Sequence, residues 1–380
     1  MAYIGFDLDE TLGRIQTAEY CMTFLYPHKA LFESQWSGHH GRPKYDPPIP
    51  LSEGLKAKFD NALSIFVDCI AEKETNGQTF LLRPGMVDII RRLNDLKQAG
   101  AVKGAVIYSN NGNLANLILV GKLLEKLANA PGFFCNYIHW FNPMRSAEVE
   151  RKLYGAREGI PGRAAKTIAV LKRAFETGTC GMGEISDAEF RENLYFFDDV
   201  VHQDISTRIG DRYFHNPQYK KNTPLNPLLS CFERAFTESG LATDSEYYDY
   251  TAYVFGGNPR TLAYIKSFIS KDYAEMLRKG EILNEVPNNT AFRAKFESKF
   301  PAPVARVTRN AFTRAVSTMR RLEKQQNEGT ALTEANAKNL TNAQAVINTY
   351  EAQNPNAAGG RRKTKKTRKS KSRKTRGRKH

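Results

Sequence analysis

Tyr3-Ile4-Gly5-Phe6-Asp7-Leu8-Asp9-Glu10-Thr11-Leu12 opens the chain with an apolar run that ends in two carboxylates and a threonine. Tyr3, Ile4 and Phe6 predict a buried strand. Asp7 and Asp9 then emerge together at its C-terminal end, where open α/β sheets place their ligands. Two acids one residue apart at a strand end, followed by a hydroxyl, suit phosphoryl chemistry. One carboxylate can take the phosphoryl group covalently, a shared divalent cation can neutralise charge, and the second carboxylate can move the leaving group's proton. The plainer reading is a strand-to-helix turn in which Asp9 or Thr11 caps a helix, which leaves Asp7 unexplained.

Asp7-Leu8-Asp9-Glu10-Thr11-Leu12 resembles the first motif of the haloacid dehalogenase (HAD) superfamily in its aspartate-phosphatase form. It is especially similar to the phosphatases that act on the C-terminal domain of RNA polymerase II. Partners follow in the order the resemblance requires. Phe80 to Leu93 reads as strand, Arg83-Pro84-Gly85 turn and amphipathic helix, similar to the segment before the family's second motif. Val102 to Tyr108 reads as a buried strand ending at Ser109-Asn110-Asn111-Gly112. Ser109 is the candidate phosphate-holding hydroxyl, although Asn-Asn-Gly also makes a plain turn.

Lys166, at the start of a helix expected over Lys166 to Phe175, is the candidate third motif, with Lys172 and Arg163 as rivals. The stretch Thr177 to Glu192 reads as an extra loop. Asn193 to Val200 is a strand ending in Asp198-Asp199, the form of the fourth motif. The resemblance implies Mg²⁺ held by Asp7, the main-chain carbonyl of Asp9 and Asp198, with Asp199 supporting or binding through water. Asp204 is a weaker outer candidate. It further implies Asp7 as nucleophile, Asp9 as proton carrier, Ser109 and Lys166 on the phosphoryl oxygens, and Thr11 stabilising the turn that places Asp9.

The expected fold is α/β: a HAD-like Rossmannoid parallel sheet over residues 1–210. Residues 13–79 read as a cap-like insert, either a cap over the site or a surface elaboration, marked by Trp36, a proline cluster from Pro43 to Pro50, and a periodic helix from Ser52 to Glu74 with Ser52 as N-cap. Residues 211–350 read as mainly helical. Within them Phe312, Ala315, Val316, Met319 and Leu322 make one apolar stripe, and the chain from Ala331 to Ala358 reads as a fraying helix or linker. Residues 351–380 read as linker and disordered tail.

Composition narrows the class. The hydrophobic fraction of 41% is ordinary for a globular chain. No apolar run approaches the ~20 residues of a membrane span, and aspartates stand where a signal peptide would need apolar residues. Five cysteines without close-paired spacing suggest a reducing intracellular compartment and argue against a zinc site. The net charge of +16 is concentrated in residues 361–380, which carry 13 Lys or Arg and no acid; the rest of the chain is near neutral. Such a tail cannot bury surface and attracts DNA or RNA without sequence preference. In texture it resembles tails on proteins of large nucleocytoplasmic DNA viruses, and it suggests nucleus, nucleolus or virion. The sequence thus predicts a Mg²⁺-dependent phosphatase acting on a phosphoprotein. The alternatives are a nucleic-acid 3′-phosphatase or a HAD-derived nucleic-acid-binding or virion-associated protein with little turnover.

Overall fold

β1 (Ala2–Phe6) is a continuous apolar run, as expected of a strand covered on both faces. It lies at the centre of a five-stranded parallel sheet ordered β3-β2-β1-β4-β5, with β2 Val102–Tyr108, β3 Phe134–Ile138, β4 Leu194–Asp198 and β5 Tyr213–His215. The computed structural model describes residues 1–30, 50–74, 80–140, 142–145, 166–221, 223–255, 260–280, 288–301, 309–328 and 333–353. Trp36, Pro43, Pro47, Pro48, Arg163 and the basic tail 361–380 lie outside the described residues. The described residues include 14 α-helices, and none is long and apolar enough to cross a membrane.

The helices are α1 (Gln16–Leu25), α2 (Pro27–Ala30), α3 (Glu53–Glu74), α4 (Met86–Gln98), α5 (Leu114–Ala128), α6 (Ile168–Glu176), α7 (Asp187–Asn193), α8 (Gln203–Ile209), α9 (Leu225–Glu238), α10 (Ser245–Val254), α11 (Leu262–Arg278), α12 (Thr290–Lys299), α13 (Arg309–Asn327) and α14 (Glu334–Gln353). Two cores flank the sheet. Ile4, Phe6 and Phe197 pack with α3, α4, α5 and α9, whereas Tyr3, Val106, Tyr108, Leu194 and Phe196 pack with α6. This is the period-two alternation of a strand. Gly5 keeps the second face tight, since a Cβ there would lie 2.5 Å from the Phe196 ring.

Several boundaries differ from the sequence reading. Phe80-Leu81-Leu82 is no sheet strand; Leu82 makes one isolated bridge, to Gly13. Ser52 caps α3, its hydroxyl accepting from the Leu55 N–H at 3.0 Å, and α3 packs into the core. The compact unit runs from Met1 to Pro301, past residue 210, because β5 and the helices up to α12 complete its sheet edge and core. The stretch read as an extra loop contains α7. Residues from Ala302 belong to a second unit in which Ala315 and Met319 of α13 bury against Ala343 and Ile347 of α14. The expected fraying helix is therefore the partner of the apolar stripe.

The cysteines correct the sequence reading most directly. Cys69 is bonded to Cys231 and Cys135 to Cys180, while Cys21 is free and buried. The partners are 162 and 45 residues apart, so close spacing was the wrong signal to seek. Four of the five thiols thus give no support to a reducing compartment.

Candidate active site

Strand register builds the site. The Asp7 N–H donates to the Phe197 carbonyl at 2.8 Å, extending the ladder one residue beyond the Phe6–Phe197 pair. By alternation Asp7 faces the side of Tyr3 and Gly5, and Asp198 the side of Leu194 and Phe196. Both carboxylates therefore reach the α6 face. Lys166 stands just ahead of α6, where Thr167 is the N-cap and accepts from the Val170 N–H. Asp204 fixes the same helix start, its Oδ2 accepting from the Ile168 N–H at 3.0 Å. Lys166 Nζ lies 2.6 Å from Asp7 Oδ1 and 2.7 Å from Asp198 Oδ2.

The turn after β1 supplies the next groups. Glu10 adopts a positive φ of 57°, and Leu12 closes back on the Leu8 carbonyl. Gly13 is required where the turn crosses residues 81–82, because a Cβ there would sit 2.5 Å from the Leu81 carbonyl oxygen. The Thr11 hydroxyl donates to Asp199 Oδ1 at 3.0 Å, tying this turn to the end of β4. Asp9 points elsewhere, with Asn111 Nδ2 at 3.2 Å and Ser109 Oγ at 3.5 Å from its Oδ2. The rival Lys172 pairs with Glu176 and Asp187 on the outside of α6.

Charge decides what the cluster can hold. Asp7, Asp198 and Asp199 are buried and each offers an oxygen within 4.8 Å of the others. Burial opposes the Lys166 charge, yet Asp7 and Asp198 outweigh it and raise the ammonium above its ordinary range. One ammonium does not balance the carboxylates. Burial and then the Asp7 charge push Asp9 up to about 7, Asp198 to about 7 and Asp199 to about 6. A buried all-oxygen donor set with surplus negative charge fits a hard divalent cation such as Mg²⁺.

Three contributors escaped the sequence reading. His202 accepts from the Lys166 N–H through Nδ1 at 3.3 Å, and its Nε2 lies 3.5 Å from Asp198 Oδ2. Burial and Lys166 depress it to about 4, so the neutral ring braces both partners. Arg145 donates to the Ser109 carbonyl at 2.9 Å and to Asn110 Oδ1 at 2.8 Å, with its guanidinium 5.1 Å from the Tyr108 and Trp140 ring centroids. Asn111, by sequence a turn residue, is the third, its Nδ2 donating to Asp9 Oδ2. No spacing signal marks Arg145, which acts on groups 35 and 36 residues away; His202 stands four residues after Asp198, a local spacing that does not reveal its second partner, Lys166, 36 residues away.

Asp7, Asp9, Thr11, Ser109, Lys166, Asp198 and Asp199 thus meet at the C-terminal edge of the sheet. The chain matches no protein-family model, no curated protein and no solved structure.

Proposed function

We propose that the protein is a Mg²⁺-dependent, HAD-type phosphatase that hydrolyses phosphate monoesters through a phosphorylated Asp7. The observation that carries this reading is the division of labour among the carboxylates. Asp7, Asp198 and Asp199 converge around Lys166, while Asp9, two residues from the nucleophile, is held apart by Asn111 and Ser109.

Mg²⁺ bound by Asp7, Asp198 and Asp199 would neutralise phosphoryl charge and orient the ester. An Asp7 oxygen attacks phosphorus, forming the Asp7–phosphoryl bond as the ester P–O bond breaks. The departing oxygen keeps the bonding pair and takes the proton carried by Asp9. Water then attacks the phosphorus and gives its proton to Asp9, and the Asp7–phosphoryl bond breaks with its electron pair returning to Asp7. Lys166 stabilises the spreading negative charge. Ser109 Oγ already accepts the Asn111 N–H at 3.0 Å, so its own proton can serve Asp9 or a phosphoryl oxygen. A carboxyl near pH 7 is well matched to giving and taking protons in neutral solution.

A phosphoprotein is the favoured substrate, on the likeness of Asp7 to Leu12 and of Arg83-Pro84-Gly85 to polymerase-domain phosphatases. The Lys- and Arg-rich tail is read as a salt-sensitive attachment to DNA or RNA. The test is Mg²⁺-dependent hydrolysis of an aryl phosphate by the full chain beside Asp7→Asn and Asp9→Asn. Turnover by wild type, lost in Asp7→Asn and strongly reduced in Asp9→Asn, is expected. An inert wild type, or an active Asp7→Asn variant, refutes the mechanism.

A further inference from the structure

The Asp9 carboxyl is gripped by an amide whose direction is set from behind. Asn111 Nδ2 donates to Asp9 Oδ2 at 3.2 Å. An asparagine amide could in principle present either end. Here its Oδ1 accepts the Asn113 N–H at 2.8 Å and Asn116 Nδ2 at 3.2 Å. A backbone N–H can only donate, so the Oδ1 end must face Asn113 and the NH₂ end must face Asp9. Both supporting residues are themselves fixed. Asn113 caps α5 by accepting the Ala115 N–H at 3.0 Å, and Asn116 is fully buried within α5. The Asn111 main chain meanwhile holds Ser109 Oγ at 3.0 Å.

We infer that Asn111 is the positioning residue for proton transfer to the leaving group. The inference rests on the phosphatase reading. Nδ2–H can donate but not accept, so while Oδ2 is bound to it the proton carried by Asp9 belongs on Oδ1. The free rotation of a short carboxyl is thereby reduced to one orientation, with one oxygen anchored and the other carrying the proton. The α5 N-terminus anchors this arrangement through Asn113.

The experiment compares a phosphoserine peptide with 4-nitrophenyl phosphate as substrates for the full chain with Mg²⁺. A serine alkoxide leaves poorly without a proton, whereas 4-nitrophenolate leaves readily without one. Asn111→Asp keeps the Oδ1 acceptor for Asn113 and Asn116 but turns the end facing Asp9 from donor to acceptor. Its kcat should fall about 10- to 100-fold further on the peptide than on the aryl ester, the worth of one hydrogen bond to a charged group. KM for the two substrates should change alike. If Asn111→Asp does not fold, as judged by its thermal melt, Asn111→Ala carries the same two-substrate comparison. Equal losses on both substrates, or no loss on either, overturn the positioning role while leaving the phosphatase reading intact. A wild type inert on both substrates overturns that reading, and the role with it.

Discussion

Lys166 and Lys172 stand six residues apart, and each is gripped by two carboxylates. Lys166 meets Asp7 and Asp198 at 2.6 and 2.7 Å with its side chain 2% exposed; Lys172 meets Glu176 and Asp187 at 3.0 Å each with its side chain 24% exposed. The contacts are nearly the same and the settings are not. Around Lys172 water screens the charges, and such pairs are worth about 0.2–1 kcal/mol. Around Lys166 every charge has been taken out of water, a cost that ion pairing alone often fails to repay. Charges kept in such a place, at a sheet edge beside further carboxylates, point to chemistry before stability.

The widest gap should be in activity. Lys166→Met is expected to lower kcat on an aryl phosphate about 10³-fold or more, the scale of losing an electrostatic stabiliser of a transition state. Lys172→Met should stay within about twofold of wild type, since a rim cation contributes little. Similar rates for the two variants would dissolve the distinction. Stability should separate them next. Removing one partner of a buried pair costs about 3–5 kcal/mol, so Lys166→Met should shift a urea unfolding midpoint far more than Lys172→Met, at about 1 kcal/mol or less.

The smallest effect is on pH dependence. Burial and the Asp7 charge raise Asp9 to about 7 and Asp199 to about 6, and raise Asp198 as well, above the ~3.9 of an unfolded aspartate. Between these values the folded state binds more protons than the unfolded one, so unfolding free energy falls as pH rises. His28, His139 and His202, which burial depresses to about 4, act the opposite way in the same window, so mutation isolates the carboxylate contribution: from pH 5 to pH 7.5 metal-free Asp9→Asn should lose less melting temperature, or gain more, than wild type. Mg²⁺ should raise the melting temperature more at pH 7.5, where the carboxylates are ionised. A melt indifferent to Mg²⁺ at both values would sink the cation assignment.

Legibility followed the range over which a signal acts. Asp7, Ser109 and Asp198 were readable because each ends or follows a short apolar run, and a parallel sheet gathers such ends along one edge. The N-cap Ser52 acts within three residues of itself. Lys166 was only one of three candidate cations, since nothing in the local sequence says whether Lys166 or Lys172 is the one that is buried. The Cys69–Cys231 bond, the Thr11–Asp199 bond and the grip of Arg145 on Ser109 had no local mark at all. Phe80-Leu81-Leu82 misled because a short apolar run is buried equally well as a strand or beneath a turn.

By itself the sequence determined the α/β class, the strands that end in acids, the helix starts and the charge of the tail. These depend on side-chain periodicity and on hydrogen bonds made within a few residues. The tertiary structure alone decided which lysine is stripped of water between two aspartates, which amide faces Asp9, and which cysteines meet. Those outcomes depend on register and burial, which exist only once segments far apart in the chain share one low-dielectric space.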